Sequence, residues 1–243
     1  MLPAFAPYLL VSLLHLVLQY LGPAWSVTAT KAMLMPLLAL AVLLAVRPAR
    51  SQPAAVPGRL LALLLGGIAF SWGGDVLLTF PGDGWFAAGL VSFLVAHVVY
   101  LVLFLRMPRA RRRPPAWSYV YWAWMIVVLG LLLPHAGVLA APIVLYGVAI
   151  ALMATGASMH GGLVALGGAF FIASDSVLAL GKFLPGYEFA AHDFAVMSTY
   201  LAAQGLIAWG VVVKLRAARS VEAGSDADRS SPAPARRADA TGR

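Results

Sequence analysis

Two aspartates set inside long apolar stretches, Asp75 and Asp175, are the residues of this chain whose type and setting most invite chemistry. Ionisable groups within membrane-length apolar segments are costly and usually functional. Few occur here: His15, Lys31 and His97 join the two acids. Ser71, Ser174, Tyr100, Tyr146, Tyr200 and Gln204 add hydroxyls and an amide. A pair of carboxyls held away from water can divide acid and base roles between them. Desolvation favours the neutral form of a carboxyl, and a charged carboxylate nearby favours it further. Each of these residues also has a plainer reading. A buried Asp or Tyr can simply join helices by hydrogen bonding. Lys31 can snorkel to the headgroup layer, His15 reads better as a packing residue than as a catalyst, and His97 admits both readings.

The elements that must position these groups follow from composition. The 243 residues are 62% hydrophobic and 11% charged, with a mean hydropathy of +0.88, whereas a soluble domain carries about 25% charged residues. The apolar residues fall in runs of roughly twenty, the length that spans a bilayer core in a helix. Eight spans are predicted, at 3–21, 26–46, 59–80, 85–106, 117–134, 137–155, 161–181 and 194–214, which makes an all-α polytopic membrane protein with residues 1–216 as its transmembrane domain. The division near Pro134 rests on the shortest connection. No basic region precedes the first run, so no cleaved signal peptide is expected. Cysteine is absent, which excludes disulfides and thiolate metal sites.

The net charge of +8 is no nucleic-acid signature, because the basic residues lie between apolar runs. Arg47, Arg50 and Arg59 follow span 2. The cluster from Arg106 to Arg113 follows span 4 and suits topology and anionic lipid contact. Lys214, Arg216 and Arg219 follow span 8. Alternating spans put all of these on one side, so the positive-inside rule places both termini in the cytoplasm of a cell-membrane protein. The stretch 217–243, rich in Ala, Ser, Pro, Arg and Asp, is expected to be a disordered cytoplasmic tail.

Counted from the inner ends of their spans, Lys31, Asp75, Asp175 and Tyr200 lie about 14–16 residues in, a common layer roughly 21–24 Å deep. Gly67, Ser71 and Asp75 share a helical stripe whose small residues admit a close neighbour. Tyr200 and Gln204 share a face, as do His97 and Tyr100. A weak repeat at an offset of 100 residues pairs Gly67, Phe70, Asp75 and Tyr100 with Gly167, Phe170, Asp175 and Tyr200, and predicts two parallel four-helix halves. There is no nucleophile elbow, no HExxH and no phosphate loop. Two scattered histidines do not make a zinc site, so neither metal nor cofactor is expected.

Four ordered motifs resemble those of the lysoplasmalogenase (YhhN-type) family. Ser71-Trp72-Gly73-Gly74-Asp75-Val76-Leu77-Leu78 is similar to its S-x-x-G-D-x-x-L motif. Gly89, Phe93, His97 and Tyr100 fall at the spacing of G-x-x-x-F-x-x-x-H-x-x-Y. The stretch from Gly168 to Leu178 resembles its second aspartate motif, with Ser174-Asp175, and Tyr200-Leu201-Ala202-Ala203-Gln204-Gly205-Leu206-Ile207 resembles Y-x-x-A-Q-x-L-I. Thr30-Lys31 resembles its T-K-P, with Ala32 where proline is usual. The resemblance spans about residues 26–214. It implies eight membrane spans and hydrolysis of the vinyl ether bond of lysoplasmalogens, giving a fatty aldehyde and a glycerophospho-base. The partners it implies are a lysophospholipid substrate and membrane lipids, with no nucleic acid.

Such hydrolysis begins with protonation of the alkenyl carbon, and water then captures the resulting oxocarbenium ion. One carboxyl must hold a proton while another stabilises the cation or activates water, a logic similar to that of glycosidase carboxylate pairs. Asp75 and Asp175 are the candidates, with the acid unassigned. His97, Tyr100, Tyr146, Tyr200, Gln204, Ser71 and Ser174 would orient water or substrate. Lys31 would bind the phosphate or pair with one Asp. The two carboxyls are expected to face one internal cavity. The competing reading is a proton-coupled carrier for small solutes, and a third is a membrane protein without chemistry.

Overall fold

In the computed structural model, residues 1–47 and 57–230 are described, with side chains described to residue 218. Eight α-helices follow one another: α1 (Leu2–Leu21), α2 (Ala24–Val46), α3 (Gly58–Leu77), α4 (Asp83–Arg106), α5 (Tyr119–Leu132), α6 (Ala140–Ser158), α7 (Gly162–Phe183) and α8 (His192–Ser230). Among the described residues there is no strand, and eight helical segments are long and apolar enough to cross a membrane. The chain is therefore an all-α, multi-pass membrane protein, as its apolar runs predict.

The predicted boundaries hold to within a few residues. Span 3 ends sooner than expected, at Leu77 rather than 80, so Asp75 sits in the last turn of α3. The short connection at Pro134 is real. α5 passes into a 3-10 turn at Leu133–His135, a second turn follows at Gly137–Leu139, and α6 starts at Ala140. Gly137, with φ +52°, makes the reversal in a conformation that costs glycine nothing. α8 extends to Ser230, into the stretch read as tail, in keeping with the high helix propensity of the Ala and Arg residues there. Arg50 and residues 231–243, parts of the basic-loop and tail readings, lie outside the described residues.

Consecutive helices alternate in direction. Trp72 near the end of α3 donates to the Ala32 carbonyl near the start of α2, 2.8 Å away, and Lys182 at the end of α7 meets Asp83 at the start of α4. Both termini thus lie at one end of the bundle, here the terminal end, and α3 and α7 run parallel toward the opposite, far end. The lipid-facing surface is apolar, with Leu10, Leu21 and Ile126 well exposed.

The interior holds the polar groups. His15, Ser71, Asp75, His97, Ser174 and Gln204 are all buried. α3 packs most extensively on α4, and α7 on α8. Small residues make both contacts possible, since apolar helices in lipid associate through close packing rather than through the hydrophobic effect. A methyl at Gly67 would run into the Tyr100 ring, and one at Gly74 into Phe93. A methyl at Gly167 would lie 2.7 Å from Ile207 Cγ1.

Candidate active site

The α4 motif is one helical face, and its members reach different neighbours. Gly89 accepts Leu78, Phe93 lies over Gly74, and Tyr100 lies over Gly67. Between Phe93 and Tyr100 on this face, His97 points toward α7. Its Nε2 is 3.6 Å from Asp175 Oδ2, beyond hydrogen-bond distance, and both ring nitrogens lack a hydrogen-bond partner.

Asp175 is held from α6. The Tyr146 hydroxyl donates to Asp175 Oδ2 at 2.5 Å, and the His97 and Tyr146 rings meet edge to face at 5.1 Å. The Asp175 side chain is 13% exposed. It forms part of the wall of an apolar groove bounded by α4, α5, α6 and α7, with about 630 Å³ of empty space, part of it open to the outside. Phe86, Phe93, Met125, Leu129, Ile143, Gly147 and Phe183 are among the residues that line it. Asp175 is the sole ionisable carboxyl in the lining, accompanied by the hydroxyls of Tyr146 and Ser176. Ser176 accepts from Trp124 Nε1 at 3.0 Å.

Asp75 is held from α8. The Tyr200 hydroxyl donates to Asp75 Oδ2 at 2.7 Å, and Asp75 is 3% exposed. It does not line the groove. An aromatic chain fills the space between the two acids: Phe171 lies 5.7 Å from the Tyr200 ring and 4.9 Å from the His97 ring, centroid to centroid.

The remaining candidates separate into groups. Tyr100 donates to Gln204 Oε1 at 2.6 Å, joining α4 to α8, with Ser71 beside it. Gln204 and Ser71 are both fully buried. Ser174 donates to the Val196 carbonyl at 3.0 Å and fastens α7 to α8. Lys31 is half-buried on α2, next to Ala32, whose carbonyl accepts from Trp72 three residues before Asp75. His15 meets Thr30 Oγ1 at 2.8 Å. The structure thus puts Tyr146 and Asp175 on the groove wall with His97 buried beside Asp175, and pairs Asp75 with Tyr200 away from the groove lining. Among the described residues, no three His, Asp or Glu side chains converge as a metal site would require.

Sequence reasoning missed three contributors. Tyr8 donates to the Leu201 carbonyl at 2.7 Å, and it shares a stripe with Ser12 and His15 that could have marked a buried face of α1. Phe93 and Phe171 stand in the motifs themselves, but they carry no polar atom to draw attention. The groove, made by apolar residues of four helices, leaves no local signal.

A model of the YhhN family matches residues 26–211. A protein of Mycobacterium bovis named lysoplasmalogenase is 34% identical over 218 residues, which cover 85% of this chain and 79% of that protein. A Mycobacterium tuberculosis protein of the same name matches to the same extent. No solved structure matches the chain.

Proposed function

The chain belongs to the YhhN family, and from that membership we propose that it hydrolyses the vinyl ether bond of lysoplasmalogen-type lysophospholipids within the membrane, releasing a fatty aldehyde and a glycerophospho-base. The relatives named lysoplasmalogenase support the reaction. The observation that carries the assignment to this chain's own residues is a carboxyl, Asp175, with phenol and imidazole beside it, on the wall of an apolar groove in a membrane bundle. An apolar cavity with a few convergent polar groups is the form that a lipid-chain site takes.

In this reading the alkenyl chain lies in the groove with its vinyl ether at Asp175. The neutral carboxyl gives its proton to the alkenyl carbon one bond beyond the ether-bearing carbon, and the ether-bearing carbon becomes an oxocarbenium ion. The carboxylate left behind faces that cation, and the Tyr146 hydroxyl stabilises the carboxylate by hydrogen bonding. Water adds to the cation and returns a proton to Asp175. The hemiacetal then breaks its carbon–oxygen bond to the glycerol, with the hydroxyl proton passing to the departing oxygen. One water is consumed and the carboxyl is restored. His97, beside Asp175, orients the attacking water. Asp75, sealed behind Phe171 with Tyr200, acts by its charge rather than by touching substrate. No step calls for a metal or cofactor.

The basic residues at the terminal end support a cytoplasmic location for both termini, which puts the far end at the outer surface. Cysteines introduced at Gly82 and in the tail of this cysteine-free chain should label from opposite sides, and labelling from one side contradicts the topology. The activity is tested by incubating the purified chain with a lysoplasmalogen and assaying for aldehyde. Aldehyde release is expected. Its absence, together with proton-dependent solute uptake, would favour the carrier instead.

A further inference from the structure

The groove follows α7 from Asp175 past Leu178 and Ala179 to Phe183 at the far end of the bundle. Lys182 is seven residues beyond Asp175, two turns along the same stripe, so the two lie about 10.5 Å apart along the helix axis. At the far end the Phe86 and Phe183 rings meet edge to face at 5.8 Å. Lys182 Nζ sits 4.8 Å from the centroid of the Phe86 ring and 2.9 Å from Asp83 Oδ1. A cation therefore stands at the rim of an apolar groove whose wall, two turns deeper, carries a carboxyl.

We propose that Lys182 anchors the phosphate of the lysophospholipid at the groove mouth, which sets the vinyl ether at Asp175; this rests on reading the groove as a lysophospholipid site. Dimensions agree. About seven bonds separate the protonated alkenyl carbon from phosphorus, and at about 1.25 Å of advance per bond an extended chain covers about 9 Å. With an ammonium–oxygen contact added, that reach is of the order of the roughly 10.5 Å of helix rise between Asp175 and Lys182. The partner that Lys182 now holds is replaceable: the Asp83 side chain is 86% exposed and that of Lys182 35% exposed, and an exposed ion pair is weak. A phosphate can take the place of Asp83 without leaving a buried charge unpaired. Neither lysine is part of the groove lining, but Lys182 stands against Phe86, which is, whereas Lys31, the phosphate candidate from sequence, lies on α2, which contributes nothing to the lining.

The test uses the full chain in lipid nanodiscs and two non-hydrolysable probes, a 1-O-alkyl glycerophosphocholine and the 1-O-alkylglycerol that lacks the phosphate, with affinity read by displacement of the radiolabelled phosphocholine probe. The wild type is expected to prefer the phosphate-bearing probe by at least about tenfold, the effect of one hydrogen bond to a charged group. Lys182→Gln should remove that preference and Lys182→Arg should keep it. Asp83→Asn, which breaks the same ion pair but leaves the lysine, should keep or increase it. A preference that survives Lys182→Gln overturns the proposal. So does a preference removed by Lys31→Gln, and so does an equal loss in Asp83→Asn and Lys182→Gln, which would mean a mere clasp between α4 and α7. Aldehyde release is assayed separately, so an intact phosphate preference without hydrolysis contradicts the hydrolase reading and not the anchor.

Discussion

The two aspartates stand at matching places in the weak repeat, in the parallel helices α3 and α7, and each accepts a hydrogen bond from a tyrosine on another helix. Their surroundings differ. Asp175 belongs to the wall of a groove, while Asp75 lies in a seam that glycines close around Tyr100 and Phe93. A single polar pattern used twice has thus been packed open on one side and shut on the other. The difference teaches that membrane depth and motif pick out the buried polar residues, whereas packing decides which of them face the groove.

The largest effect expected from this contrast is on turnover. Asp175→Asn keeps the shape and hydrogen-bonding reach of the side chain but removes its transferable proton and its charge. Aldehyde release should fall by about 10²–10⁴-fold, the range for a lost general acid–base group. Asp75→Asn should lower it less, because that side chain does not line the groove. Equal losses in the two variants, measured as kcat on folded protein, would erase the distinction between open and closed sites.

Added bulk should separate the sides next. Gly147 lines the groove, and a Cβ there would lie 3.0 Å from Met125 Sδ, the end of a flexible side chain, so Gly147→Leu should push Met125 and itself into substrate space and lower kcat/KM by about 10–200-fold, the scale on which pockets discriminate by size, with a smaller fall in unfolding midpoint than Gly74→Leu. Gly74→Leu must instead displace Phe93, and should cost about 1–3 kcal/mol of stability, as overpacking does. Unfolding midpoints and kinetics of the two variants, taken together, decide whether the α3–α4 seam is as closed as described.

The smallest expected effects concern the two phenols. Tyr146→Phe should reduce kcat by about tenfold, the lower end of the roughly 1.5–3 kcal/mol of a hydrogen bond to a charged group at 1.36 kcal/mol per factor of ten in rate, because Asp175 is charged for only part of the cycle. Tyr200→Phe leaves Asp75 buried without its donor, and its loss should appear mainly as a lower unfolding midpoint. The reverse assignment, Tyr200→Phe slowing turnover and Tyr146→Phe only loosening the fold, would exchange the roles of the two sites.

Much of this architecture was legible in the sequence because a bilayer permits so few solutions. Apolar runs of membrane length must be helices, and the stops at Pro81-Gly82 and Pro134 fall where the helices break. Asp75, Asp175, Tyr146 and Tyr200 stood out because polar groups in such runs are expensive. Which tyrosine meets which aspartate was not legible: the repeat pairs Tyr100 with Tyr200, yet Tyr100 bonds Gln204 and Tyr146, outside that repeat, bonds Asp175. Helix order in space fixes those partners, and it is written in no single segment. The groove was invisible for the same reason, and Lys182, a lone cation at a span end, carries no signal of its own in the sequence.

The most direct test of the account is a structure of the protein with a non-hydrolysable 1-O-alkyl glycerophospholipid bound. The account expects the alkyl chain in the groove among Phe93, Met125 and Gly147, with the ether oxygen beside the Asp175 carboxyl. A bound analogue with its ether against Asp75, or one lying outside the groove altogether, would contradict it.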